Sequence, residues 1–285
     1  MARQVWLLAR DGPDPDEGVR GWLVAQALEH RIGGPFFGLI ARFWASWWST
    51  RLTLPPVQEA PTALAELLGR VLGEGTACHA VVGQAGLHRV LGGVGKSTQV
   101  ILVPLTPHGE PALQALTALA RQNLQARGAS ATPIGPLHEH EGYQEAVAEA
   151  LRARIADLGG APYTVIFGSA RCPRAEAPAR ALELTRAAVV RRAALVAPHQ
   201  ALWAPSPRQL RRAVHQGAAR GARPLLLPLD RTLDTTDAWT HLLQRARLER
   251  DLLVPPPGTR PTFVRALADL VGRAEEAAGW AASSS

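Results

Sequence analysis

Apolar runs of strand length alternate with longer segments of helical period along nearly the whole chain, and this alternation restricts the fold more than any other feature. The runs are Gln4–Ala9, Cys78–Gly83, Gln99–Leu105, Ala131–Ile134, Tyr163–Gly168, Ala194–Pro198, Pro224–Leu229 and Leu252–Val254. Between them, Thr62–Leu72, Pro111–Ala126, Gly142–Leu158, Pro178–Arg192, Pro207–Arg220 and Arg260–Glu276 carry helical spacing. Strands interleaved with helices in this way form parallel sheets covered on both faces, joined by right-handed crossovers. The runs group as two sets of four, separated at Leu158-Gly159-Gly160-Ala161-Pro162, where glycines and a proline stop one helix before the next strand. The expectation is an α/β protein of two similar half-domains, each a four-stranded parallel sheet flanked by helices, over residues 1–158 and 162–280. A tail over 281–285 is expected to be disordered. Ligands of such sheets bind at the carboxyl ends of the strands, so the cleft between the halves is the expected site.

Composition narrows the function classes. The 285 residues, 47% of them hydrophobic, suffice for a sizeable core. Basic residues outnumber acidic ones by 31 to 24, which favours acidic partners. The arginines are spread along helices without a basic tract or a nucleic-acid motif, so no nucleic-acid partner is expected. Cys78 and Cys172 are too few for a disulfide framework or a structural zinc site, and a cytoplasmic location fits them. No stretch approaches the roughly 18 uninterrupted apolar residues of a membrane span.

The segment Gly92-Gly93-Val94-Gly95-Lys96-Ser97-Thr98 has the look of a phosphate-binding loop. Val90 stands where the first glycine of that motif belongs. The segment also closes a helix-like stretch and leads into the run beginning at Gln99, whereas a phosphate loop follows a strand and opens a helix. A turn after a helix is the better account.

Chemistry concentrates at Tyr163-Thr164-Val165-Ile166-Phe167-Gly168-Ser169-Ala170-Arg171-Cys172-Pro173, a buried-type strand whose end delivers Ser169 and Arg171 to a rim. This stretch is similar to the ferrochelatase family's phenylalanine-x-serine-alanine-histidine-glycine-x-proline segment. Further resemblance lies in Gly12-Pro13, Val103-Pro104-Leu105-Thr106-Pro107-His108, Leu137-His138-Glu139-His140 through Tyr143, Leu202-Trp203-Ala204-Pro205, Asp230 through His241, and the closing Pro261-Thr262-Phe263 helix. It covers nearly the whole chain through framework residues and their order, with no single motif intact.

The resemblance implies a chelatase-like fold, a porphyrin-type macrocycle in the cleft, and divalent iron as the metal to be inserted. Residues 33–50, with Phe36, Phe37, Trp44 and Trp47, match the family's apolar lip over the macrocycle, which in some members touches a membrane; a helix packed on the core is the alternative. Ser169, Trp203 and His199 would line the ligand.

The departures bear on the chemistry. The family histidine is Arg171, whose guanidinium stays protonated and has no lone pair for a metal or a pyrrole proton. The family glutamate is Asp237, and the arginine-tyrosine pair after the second strand becomes Ala85 and Gly86. One reading is a degenerate chelatase that keeps the cleft, with Arg171 reaching a propionate or pairing with Asp234 or Asp237. A second keeps catalysis through Asp237, with His108, His241 and His199 completing a metal set. A third is a scaffold partner of an active chelatase, docking through its aromatic lip.

Overall fold

The fold was analysed in a computed structural model that describes residues 2–9, 59–107, 111–169, 176–203, 205–233 and 238–279. Among the described residues, seven strands form two parallel sheets. The first contains β1 (Arg3–Ala9), β2 (Thr76–Val82), β3 (Gln99–Pro104) and β4 (Ser130–Pro133), in the order β2-β1-β3-β4. The second contains β5 (Tyr163–Ser169), β6 (His199–Trp203) and β7 (Arg223–Pro228), in the order β6-β5-β7. The helices are α1 (Glu59–Leu72), α2 (Gly83–Leu91), α3 (Pro111–Ala126), α4 (Glu141–Ala156), α5 (Glu176–Arg192), α6 (Pro207–Ala218), α7 (Ala238–Ala246) and α8 (Pro261–Ala277). No helix among the described residues is long and apolar enough to cross a membrane.

Side-chain alternation along each strand decides the layering, because neighbouring residues face opposite sides of a sheet. Val5, Leu7, Ile101 and Val103 of the first sheet and Val165, Phe167, Leu225 and Leu227 of the second belong to one continuous core. Residues of α1, α4, α5 and α8 fill the same core, so these helices form a layer shared by both sheets. The opposite faces have separate cores. Trp6, Leu8, Val100 and Leu102 pack against α2 and α3, while Ile166 and Leu226 pack against α6 and α7.

Within the shared layer, α8 lies against α4 and α1. Gly142 makes the close approach possible, since a Cβ there would stand 2.6 Å from that of Ala266. Arg152 and Arg192 both reach Glu145, tying α4 to α5 and holding that carboxyl below the usual carboxylate range, chiefly through its hydrogen bond with Arg152.

Two runs expected as strands behave differently. Ala194–Pro198 is a turn: Ala194 closes α5 in the left-handed region (φ 49°) and Val196 projects into solvent. The strand follows it at β6, an edge strand whose first residues are exposed, so an apolar run was the wrong signal for it. Leu252–Val254 contributes only an isolated bridge between Leu253 and Leu226, after a 3-10 turn at Arg250–Leu252. The second sheet therefore has three strands among the described residues. Gly92–Thr98 does link the end of α2 to β3, which is the reverse of the order that a phosphate loop requires.

Candidate functional site at the facing strand edges

In a parallel sheet wound in both directions, the crevice for ligand opens where neighbouring strands send their crossovers to opposite sides. Here those points fall beyond β1 and β3 in one sheet and beyond β5 and β7 in the other. The two are built alike. Leu8 pairs in register with Pro104, and the Leu105 amide then donates to the Leu8 carbonyl at 2.8 Å. Gly168 pairs with Pro228, and the Leu229 amide donates to the Gly168 carbonyl at 2.8 Å. Thr106 and Asp230 consequently occupy matching places, one in each half.

The two edges are joined directly. Thr232, buried beyond β7, donates its hydroxyl to the Leu105 carbonyl at 2.8 Å. Its own carbonyl accepts from the Gly258 amide at 2.8 Å. The loops that follow β3 and β7 therefore meet, and the facing switch points form one place.

At its centre stands the Asp230 carboxylate. Oδ2 accepts from the Ser169 hydroxyl at 3.0 Å and Oδ1 from the Trp239 indole Nε1 at 2.8 Å. Ser169 closes β5 and is buried; Trp239 lies near the start of α7, 1% exposed. Local sequence makes this arrangement possible, because Gly168 leaves room for the indole: a Cβ at residue 168 would lie 2.5 Å from Trp239 Cη2. Trp203, at the carboxyl end of β6, pairs in register with Ser169 and completes this side of the rim.

Tyr143 enters from α4. It is fully buried, edge-on to Phe263 of α8 with ring centroids 6.0 Å apart, and its hydroxyl has no hydrogen-bond partner among the described residues. Burial pushes the phenol well above its ordinary range, and the negative charge of Asp230 pushes it further, so Tyr143 is a neutral phenol. An unpartnered buried hydroxyl forfeits its hydration without compensation. Tyr143→Phe is accordingly expected to be neutral or to stabilise the protein by up to about 1 kcal/mol, as read by urea unfolding. A loss of more than that would reveal a partner for the hydroxyl.

Beside it, the turn Leu137–Glu139 carries His138, whose Nδ1 lies 2.7 Å from the Pro107 carbonyl. The buried Nε2 of His140 has no hydrogen-bond partner among the described residues, and desolvation followed by the nearby Arg273 charge holds this imidazole below its ordinary pKa. Both histidines are thus placed at the edge of the first sheet.

Of the residues singled out from sequence, Ser169 and Trp203 meet at the rim. His199 does not: it opens β6 at the amino end, opposite Val165, with its ring edge-on to Phe167 at 5.9 Å. Four residues of strand, about 13 Å, separate it from Trp203, so the structure does not bring it to the rim. The apolar run Ala194–Pro198 predicts a strand that ends before His199, whereas the strand begins at His199. His241 falls in α7. Phe36, Phe37, Trp44, Trp47, His108, Arg171, Asp234 and Asp237 lie outside the described residues. Among the described residues no group of three or more His, Cys, Asp or Glu is arranged to hold a metal ion. Asp230 and Tyr143 were not singled out as site residues, although an acid directly beyond a buried Leu-Leu-Leu-Pro-Leu strand was a usable signal.

No protein-family model matches the chain, and no curated protein matches it. Solved structures do. CbiX, described as the terminal enzyme for sirohaem biosynthesis in denitrifying bacteria, superposes with a TM-score of 0.56 at 18% identity, over 95% of this chain and 99% of its own. The sirohydrochlorin chelatase SirB of Bacillus subtilis subspecies spizizenii, solved with cobalt, gives 0.56 at 10% identity, over 97% and 96%. A multi-domain protein of Deinococcus radiodurans, reported as similar to chelatases, gives 0.54 at 18% identity over 96% of this chain; the chain spans 54% of that protein. At these identities the likeness is one of fold, and the architecture of two paired parallel sheets is that of the chelatases.

Proposed function

We propose that this protein binds a tetrapyrrole between the carboxyl edges of its two sheets and is degenerate for inserting metal into it. The observation that carries the reading is the state of Asp230, the carboxylate at the joined switch points. Both of its oxygens already accept hydrogen bonds, from Ser169 and Trp239, so the carboxylate is fixed by donors in place and is not a loose ligand for an ion. Metal insertion requires bases for the pyrrole protons and loose ligands for the ion. Arg171, where ferrochelatases present histidine, supplies neither, and its charge suits a ring carboxylate instead. Likeness in fold to CbiX and SirB supports a tetrapyrrole ligand, and it makes sirohydrochlorin a candidate beside coproporphyrin and protoporphyrin.

Anaerobic incubation with ferrous iron and each of these macrocycles tests the proposal, comparing the natural protein with Arg171→His. The natural protein is expected to shift the macrocycle's absorption without metallating it, and the histidine variant to gain slow insertion. Metallation by the natural protein at ordinary chelatase rates would overturn the degenerate reading in favour of an active ferrochelatase using Asp237, His108 and His241. Unchanged absorption with all three macrocycles would overturn tetrapyrrole binding and favour a scaffold.

A further inference from the structure

The positive charge of the chain is concentrated. Residues 205–250 contain nine arginines against four acidic residues, although the whole chain carries only +7. The densest part is α6, which contains no acidic residue. Arg208, Arg211, Arg212 and His215 follow the spacing i, i+3, i+4, i+7, and all four are exposed. This spacing puts them on one helix face, while Leu210, Ala213, Val214 and Gly217 are buried on the other. Some arginines elsewhere are paired with acids, as in Arg152–Glu145, Arg186–Glu183 and Arg223–Asp251. Arg208, Arg211 and Arg212 form no salt bridge among the described residues. Like charges stacked at i, i+3 and i+4 oppose helix formation, so this strip carries a local cost.

Its position gives the strip a use. The helix starts four residues beyond Trp203, at the carboxyl end of the sheet, and Arg208, Arg211 and Arg212 lie within about 8 Å of helix axis from its first residue, Pro207. The helix N-terminus itself is occupied by its own capping box, in which the Ser206 hydroxyl accepts from the Gln209 amide and the Gln209 side chain accepts from the Ser206 amide. The attraction therefore belongs to the side chains. Among the described residues, the exposed large hydrophobics are Val71, Leu184 and Val196, none of them on α6 or α7. The strip thus offers charge without an apolar surface to insert or stack.

We propose that the arginine strip of α6 captures polycarboxylate macrocycles by long-range attraction and delivers them to the adjoining rim. This rests on the tetrapyrrole reading given above. Such steering accelerates association and leaves dissociation nearly unchanged, and it weakens as salt shortens the reach of the charges.

Stopped-flow binding to the full chain tests it, with the octacarboxylate uroporphyrin and the dicarboxylate deuteroporphyrin as probes. One variant combines Arg208→Gln, Arg211→Gln and Arg212→Gln. The control combines Arg89→Gln, Lys96→Gln and Arg121→Gln, which removes the same charge from exposed positions in the first half. The strip variant is expected to associate with uroporphyrin about tenfold more slowly at low salt, to lose that difference near about 0.5 M salt, and to keep its dissociation rate. Deuteroporphyrin should respond less, and the control should stay within about twofold of the natural protein. An equal slowing in the control, a change confined to dissociation, or salt-independent association would overturn steering while leaving tetrapyrrole binding intact. Failure of both porphyrins to bind would overturn the tetrapyrrole reading and steering together. Circular dichroism of both variants checks that each is folded.

Discussion

Replacing Trp239 with alanine is expected to lower the unfolding free energy by about 3–5 kcal/mol, the usual range for emptying a buried tryptophan site. The indole is fully enclosed, so its removal opens a cavity between β5 and α7 that the backbone can fill only in part. It also takes a donor from Asp230 Oδ1, while the Ser169 hydroxyl still donates to Oδ2. Urea unfolding followed by circular dichroism reads the loss, and a value under about 1 kcal/mol would mean that the indole is not seated in the core. The partner in this contact is the absent side chain of Gly168. Gly168→Ala is expected to cost about 1–3 kcal/mol from overpacking, because the new methyl would lie 2.5 Å from Cη2 and 2.9 Å from Cζ2 of the same ring. Combining it with Trp239→Phe should cost less than the two separate losses added together, since the smaller ring vacates the space the methyl needs.

The second large effect is expected at Gly142. A side chain there meets Ala266 with Cβ atoms 2.6 Å apart and stands 3.3 Å from the Ala266 Cα, which is backbone and cannot swing aside. Gly142→Val must push α8 away from α4, at a cost of about 3 kcal/mol. Helix propensity works the other way, because glycine within a helix costs about 1 kcal/mol relative to alanine. Loss of stability in Gly142→Ala would therefore show that the close approach outweighs propensity, and Ala266→Gly in the same chain should restore part of it. A Gly142→Ala protein more stable than the natural one would mean that the two helices do not meet at this point.

Much of the layering was legible in the sequence because the central strands are enclosed on both faces. Gln99–Pro104, Tyr163–Ser169 and Arg223–Pro228 are dense in Val, Ile, Leu and Phe, and the runs read from sequence end within one residue of them. Edges carry no such signal. Strand β6 begins with exposed His199 and Gln200, and the apolar residues just before it belong to a turn, so its placement slipped. The site was legible only where it coincided with a strand end, as at Ser169 and Trp203. Asp230 was obscured because the alignment to ferrochelatases drew attention to the later acids, Asp234 and Asp237. Its role depends on an indole nine residues on and a serine in another strand, contacts that no local pattern encodes. Tyr143 was noticed as part of a motif, but its burial follows from the packing of α8, more than a hundred residues away.

The continuous hydrophobic interior running between the sheets sets a limit on how the molecule can accommodate a guest. Swinging the sheets apart like a hinge would expose Phe167, Leu227, Tyr143 and Phe263 together, with a penalty of roughly 1.5–3 kcal/mol for each large apolar side chain brought into water. A guest is therefore received without parting the sheets, and the framework beneath the strand ends stays closed.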